Sequence, residues 1–377
     1  MASFNESIRQ FNTRYYRLIL KLNLWWKWSY YQNKRFKESY FPAFIKYKIE
    51  RKSIWNIVTE LIELTFKFKC LPYHYFRYGL YRKRFDFETV KKFFPETLFY
   101  YKILPKINTH YVLLDDKNIF ESIMKGSGLK YPETILKKKN GTIYDNKNER
   151  ITTEVQLREL LDKTDESVIF CKPASYSSGG KGIFLIRKTK DGWTTNDQKV
   201  FDLHLLKDEM ESDWILQKPV KNCEKIARIH NRSTNSFRVL TVFKADSEPR
   251  VIYISLKLGT DDNYTDNAHT GGLYVGVDHQ TGQLHKKGFD EKLNEYDRHP
   301  LSKKIFENIK IDRIKEVTDY AIKAAAIFSD LTVVGWDIVL SDEGPYILEG
   351  NSSSGLTIFQ RPFNGLDALM TELYDVI

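Results

Sequence analysis

The sequence predicts an α+β protein with a basic, aromatic-rich helical extension at its N-terminus. Three observations lead there. Apolar residues recur at helical spacing through the first hundred residues, strand-length apolar runs take over from Val168, and the chain closes on a hairpin pattern. The 377 residues suffice for two or three domains with sizeable cores.

The extension is expected over residues 1–108. Tyr16, Leu20 and Leu24, then Ile54, Ile57, Leu61 and Leu64, keep helical spacing. Trp25, Trp26, Trp28, Tyr30 and Tyr31 cluster among lysines, which suits either a lipid headgroup level or the inside of a helical bundle. Residues 1–110 carry 22 Lys and Arg against 8 Asp and Glu, while the remainder carries 37 against 41. The first segment also holds 29 of the 54 aromatic residues. Such a surface suits anionic lipid headgroups or an acidic glycan, and nucleic acid less well. A helical accessory domain with a solvated basic exterior has the same composition.

The pattern changes near residue 111. Tyr111 to Leu114 is a short apolar run, and Asp116 precedes a helical pattern through Phe120, Ile123 and Met124 that ends near Gly126 and Gly128. Lys137 to Arg150 reads as a loop or hairpin turning at Asn140-Gly141. Val168–Ala174, Gly182–Arg187, Trp214–Val220, Phe237–Phe243 and Val251–Leu258 have strand length. Asp312 to Asp330 is an amphipathic helix. Cys70, Cys171 and Cys223 have neither metal-site spacing nor a disulfide framework, which fits a reducing compartment such as the cytoplasm. The opening residues are polar and basic, unlike a signal peptide, and no apolar stretch reaches the length of a membrane span.

The most informative stretch for chemistry is GWDIVLSDEGPYILEGNSSSG, residues 335–355. Two strands joined at Ser341–Pro345 would put Glu349 and Asn351 on one face. If Asp337 shares that face, two carboxylates and an amide oxygen converge. Hard divalent cations such as Mg²⁺ take such ligands and bridge them to phosphates; a polar hairpin end with solvated acids has the same pattern.

A second stretch, FCKPASYSSGGKGIFLI, runs from Lys172 through a Gly/Ser-rich loop into another apolar run. Glycines there let consecutive amides approach an anion, and Lys181 adds a charge. Ser175 and Gly182 exclude a Walker A loop, and the strand that follows excludes the dinucleotide fingerprint. In Trp214–Val220, Gln217 could accept from an adenine amine and the backbone of Lys218 and Val220 could pair with the ring, with Glu224 placed for ribose hydroxyls. Arg238, inside an apolar strand, needs a partner: a phosphate or a core acid. Asp266-Asn-Ala-His-Thr-Gly-Gly272 suggests a loop closing over substrate, although an ordinary loop histidine fits His269 equally well.

Taken in chain order, Asp116-Lys117, Lys172 with its Gly-rich loop, Gln217–Val220, Arg238 and the terminal Asp337, Glu349 and Asn351 resemble the ATP-grasp superfamily of carboxylate–amine ligases. Phe237 to Gly272 is similar to amino-acid ligases with an Asn-x-His-x-Gly-Gly loop. Val277-Asp278 and Thr281-Gly-Gln-Leu284 bring the whole closest to the sugar-transfer-associated ATP-grasp group, linked to bacterial polysaccharide synthesis. The resemblance implies two α+β lobes clasping ATP, an N-lobe over 109–220 and a C-lobe over 221–377. It implies that Lys117 and Lys172 bind phosphates under a flap of Ser177, Ser178, Gly179, Gly180 and Lys181. Gln217, Lys218 and Val220 would hold adenine and Glu224 the ribose. Asp337, Glu349 and Asn351 would hold one or two Mg²⁺ ions, with Mn²⁺ an alternative. Arg238, Lys257, Asn267 and His269 are the catalytic candidates. The hinge position of Gln217 is often acidic in the superfamily.

The expected reaction is amide formation through an acyl phosphate, joining an amino acid or simple amine to a hexuronic acid of a capsule or O-antigen. A kinase acting on a sugar or lipid-linked acceptor, and a non-catalytic glycan or membrane adaptor, are the rival readings. The protein is expected in the cytoplasm, peripheral at the inner membrane face, with a homodimer among the possible assemblies.

Overall fold

The computed structural model describes residues 34, 36–175, 182–210, 212–260, 266, 271–292 and 294–376. The aromatic cluster at Trp25–Tyr31, the helical pattern at Tyr16–Leu24, the flap residues Ser177–Lys181, and Asn267 and His269 lie outside them. Two compact units divide the chain, Met1–Phe99 and Tyr100–Ile377.

In the first unit, helix α1 spans Ile54–Phe68. Ser53 caps it by accepting from the Asn56 amide at 3.1 Å, and Lys69 ends it in a left-handed conformation, φ 50°. Its inner face, Ile57, Leu64 and Phe68, is buried. Buried rings of Tyr75, Tyr78, Tyr81, Phe93 and Phe94 fill this unit's interior. Glu60 is tolerated on the inner face because Lys52, at 2.7 Å, and the Tyr75 hydroxyl, at 2.6 Å, both donate to it.

The second unit contains two antiparallel sheets. The first has the order β2-β1-β6-β3-β4-β5, built from β1 Thr134–Lys139, β2 Thr142–Asp145, β3 Val168–Pro173, β4 Phe184–Thr189, β5 Gly192–Thr195 and β6 Trp214–Gln217. The β1–β2 turn is Asn140-Gly141, at φ 50° and 75°, the pair of positive angles a two-residue hairpin demands. β6 stops at Gln217; Pro219, lacking an amide hydrogen, could not continue its ladder. One sheet face buries Ile169, Cys171, Trp214 and Leu216 in a core shared with Leu157 and Leu161. These two belong to helix α3, Glu154–Asp162, which starts on a Thr153/Gln156 capping box. The opposite face carries Phe170, Lys172, Ile215 and Gln217 by strand alternation.

The second sheet has the order β11-β10-β9-β8-β7-β12-β13, with β7 Phe237–Val242, β8 Arg250–Leu258, β9 Leu273–Val277, β10 Leu284–Phe289, β11 Glu295–Tyr296, β12 Val333–Ser341 and β13 Gly344–Asn351. Helix α4, Ile314–Ile327, covers β7 and β12 with Val317, Ala321 and Ala324. Helix α2, Lys117–Ser127, starts where Asp116 accepts from the Asn118 and Ile119 amides and stops at Gly128, φ 71°. The apolar run before it is a short helix, Val112–Asp115, whose one turn buries Leu114.

Candidate active site

The hairpin β12–β13 sets the frame. Asp337 stands opposite Glu349, and Gly335 opposite Asn351. The Asn351 amide donates to Glu349 Oε1 and to the Gly335 carbonyl, both at 3.3 Å. Among the described residues, this is the one side-chain hydrogen bond Glu349 accepts.

Asp337 is buried and heavily engaged. Its register neighbour on the other side is Arg238 of β7, whose guanidinium grips both carboxylate oxygens, Nη2 reaching Oδ2 at 3.0 Å. Lys257 of β8 donates to the same Oδ2 at 2.9 Å and lies 3.4 Å from Asp266. Asp266 in turn accepts from the Ser236 amide at 2.8 Å and the Ser236 hydroxyl at 2.6 Å. Two cations and two carboxylates thus form a buried, formally neutral network. Burial alone would raise the Asp337 pKa, but the charges and hydrogen bonds of Arg238 and Lys257 hold it well below the carboxylate range. Burial raises that of Asp266, with Lys257 opposing. Burial works against the charge on Arg238 and Lys257, yet their acids win and both are raised.

The first sheet contributes the lysines. Lys172 Nζ donates to Gln217 Oε1 at 3.1 Å, and the Gln217 amide donates to Thr134 Oγ1 at 3.2 Å. Burial pushes the Lys172 pKa down to about 8; Glu349 pulls upward and Lys117 pushes further down. Burial lowers that of Lys117 too, opposed by Glu349 and Asp115. Lys117 opens α2, and its amide donates to the Ala174 carbonyl at 2.9 Å while Asp116 bridges to Ser175. The start of that helix is therefore tied to the chain entering residues 176–181.

A cavity of about 330 Å³ is lined by Lys117, Tyr131, Pro132, Gln217, Leu348, Glu349 and Asn351, among others. A second, of about 650 Å³, is bounded by Phe170, Leu185, Pro219, Val220 and Asn222 together with His230–Thr234. Phe170 and Lys172 alternate onto the same face of β3, so the second cavity shares a sheet face with the lysine.

The structure therefore brings Arg238, Lys257 and Asp337 into one network, and Lys117, Gln217, Glu349 and Asn351 around one cavity. Of the expected nucleoside contacts, Gln217 lines that cavity, whereas Lys218, Val220 and Glu224 do not. Val220 lines the second cavity. The Lys218 amide already donates to the Glu133 carbonyl at 2.9 Å, and its ammonium pairs with Glu133 at 2.6 Å. Glu224 is exposed, pairs with Arg228 and lines neither cavity. Sequence reasoning missed Asp266, Ser236 and Thr134 as partners; a buried-strand cation such as Lys257 signals that an acid is near, though not which one.

The donor set fits a hard divalent cation. Glu349 and Asn351 offer oxygens to the cavity, and Asp337 Oδ1, accepting only from Arg238 Nε, keeps a lone-pair site. Among the described residues no group of three or more His, Cys, Asp or Glu is placed to hold a metal ion.

Residues 99–371 match the family described as sugar-transfer associated ATP-grasp. No curated protein matches the chain. Solved structures similar to it include an L-amino acid ligase from Bacillus licheniformis, 11% identical over 65% of this chain and 41% of that one, TM-score 0.36. The D-alanine-D-alanine ligase of Coxiella burnetii is 10% identical over 70% and 57%, TM-score 0.39. A carboxyaminoimidazole ribonucleotide synthase from Aspergillus clavatus, complexed with ATP, is 14% identical over 64% and 45%, TM-score 0.39. The chain spans about half the length of the solved structures it matches.

Proposed function

The chain belongs to the sugar-transfer-associated ATP-grasp family, and from that premise we propose that it is an ATP-dependent carboxylate–amine ligase acting on a surface-glycan building block. The observation that carries this reading is the grouping of Lys117, Gln217, Glu349 and Asn351 around one cavity, with Lys172 bonded to that Gln217, backed by the Arg238–Asp337–Lys257 network.

In this reading the substrate carboxylate attacks the γ-phosphorus of ATP, the bond to the bridging oxygen breaks and ADP leaves. The amine nitrogen then attacks the acyl carbon, phosphate departs with the bonding pair, and the nitrogen loses a proton. Such chemistry needs positioned charge rather than a protein nucleophile. Lys172, held by Gln217, and Lys117 neutralise phosphate oxygens, and Ser177–Lys181 are assigned to the same phosphates. Glu349, Asn351 and Asp337 would hold Mg²⁺, which would supply neutralising charge for the phosphates. Arg238 and Lys257 are assigned to the transferring group, and Asn267 and His269 to the acceptor. The apolar walls at Phe170, Leu185 and Val220 suit adenine. The acid is a hexuronic acid of a capsule or O-antigen precursor, and the amine an amino acid or small amine.

The test incubates the purified protein with Mg·ATP, amino acids and simple amines, and glucuronic or galacturonic acid derivatives. Free phosphate together with a product mass of acid plus amine minus water supports the ligase. A product heavier by one phosphoryl group, with ADP but no free phosphate, overturns it in favour of a kinase.

A further inference from the structure

Helix α1 has two apolar faces, and among the described residues only one has a partner. Opposite the buried Ile57, Leu64 and Phe68, the residues Trp55, Val58, Ile62 and Phe66 recur three and four apart and form a stripe along the outer side. Trp55 is 82% exposed and Phe66 79%. Solitary exposed hydrophobics are ordinary, but a continuous stripe ending in two large rings is a binding surface. Among the described residues, half of the exposed large hydrophobics fall between Phe41 and Leu71.

The charge of the segment that carries the stripe selects its partner. Residues 34–71 hold nine Lys and Arg against four Asp and Glu. Two of those acids are already spent, Glu60 on Lys52 and Tyr75, and Glu50 on Arg82. Lys67 and Lys69, both exposed, flank the Phe66 end. A second copy of the chain would bring the same excess of positive charge and repel. Nucleic acid would satisfy the lysines but offers no apolar depth to Val58 and Ile62. An anionic lipid surface offers both, with tryptophan at the headgroup level and lysine stems reaching back to phosphates. Among the described residues no helix is long and apolar enough to cross a membrane; α1 has the form of a helix that lies along one.

We propose that the Trp55–Val58–Ile62–Phe66 face of α1 docks the protein on an anionic lipid surface. This deepens the expectation of a membrane contact for the N-terminal part, and it does not depend on the ligation chemistry.

The test is co-sedimentation of the full chain with phosphatidylcholine vesicles, with and without phosphatidylglycerol. Wild type is expected to partition onto the mixed vesicles at least about tenfold better than onto neutral ones. The variant Trp55→Ser/Phe66→Ser is expected to lose about tenfold or more of that binding. Its ATP-induced thermal shift should match wild type, which excludes misfolding. In a second measurement, bromine-labelled lipid should quench wild-type fluorescence more than that of Trp55→Phe. Equal partitioning of wild type and variant, or equal quenching of the two, overturns the proposal. So does a wild-type dimer that the double substitution turns into a monomer, because a second copy would then own the face. Loss of vesicle binding leaves phosphate release untouched, so failure here and failure of the ligase reading are separately visible.

Discussion

Asp337 and Glu349 face each other across paired strands, yet they occupy opposite electrostatic settings. Asp337 is clamped by Arg238 and Lys257; Glu349 receives one bond, from Asn351, and borders the cavity. One carboxylate is committed to holding cations, and the other faces the space where a ligand would sit.

Their removal should therefore differ in kind. Asp337→Asn should destabilise the protein by about 3–5 kcal/mol, because two buried cations keep only Asp266 between them. Glu349→Gln should leave the melting temperature nearly unchanged and abolish ATP turnover. Thermal unfolding beside phosphate release separates the two. The Asp337 contribution also has a pH sign: with its folded pKa depressed, the stabilisation is present above the ordinary carboxylate range and is lost as pH falls through the depressed value.

Lys172, at about 8 against an ordinary 10.5, should make ATP binding pH-dependent. Below about 8 the ammonium is charged and available. As pH rises past that value the affinity should weaken, and binding should take up a proton because phosphate favours the charged form. Calorimetric titrations at about pH 9, in two buffers of different ionisation enthalpy, would read that uptake. Identical heats in both buffers would remove Lys172 from the phosphate site.

Gln217→Glu tests the same lysine from its partner. A carboxylate in place of the amide oxygen, 3.1 Å from Nζ, should raise the Lys172 pKa and move the alkaline fall in ATP affinity to higher pH. A profile that stays where it was would show that the pair does not govern binding.

Gly335 is required by close approach rather than by a turn. A Cβ there would lie 2.1 Å from Ser354 Oγ, 2.7 Å from Ser354 Cβ and 3.2 Å from Arg238 Cδ. Gly335→Ala should cost about 1–3 kcal/mol. Adding Ser354→Gly should recover most of that loss, since the arginine contact alone is mild. No recovery in the double variant would place the strain elsewhere.

The α+β fold was legible because local signals agreed: strand-length apolar runs, Asp116 before a helical period, Asn140-Gly141 at a hairpin; the family was legible only as a resemblance, from the chain order of motifs running from Asp116-Lys117 to Asp337, Glu349 and Asn351. The helix Val112–Asp115 was not, since a single turn has no period to read. Cross-strand partners were beyond reach as well. Lys172 meets Gln217 across 45 residues of chain, and Ser236 meets Asp266 across 30. An exposed glutamate such as Glu224 looks the same in sequence whether it waits for a ribose or pairs with Arg228 one turn on.

The two sheets of the second unit keep separate interiors. That of the first sheet is drawn wholly from residues 135–216, whereas that of the second joins 114–129 to 223–347. During synthesis the ribosome therefore delivers everything the first sheet needs in one continuous stretch. Helix α2, already made, must wait for about two hundred further residues before Phe328 emerges to stack on Phe120. The nascent chain thus completes its lysine-bearing half early and carries an unsheltered helix ahead of it. A chaperone that binds exposed apolar helices would find its opening in that interval.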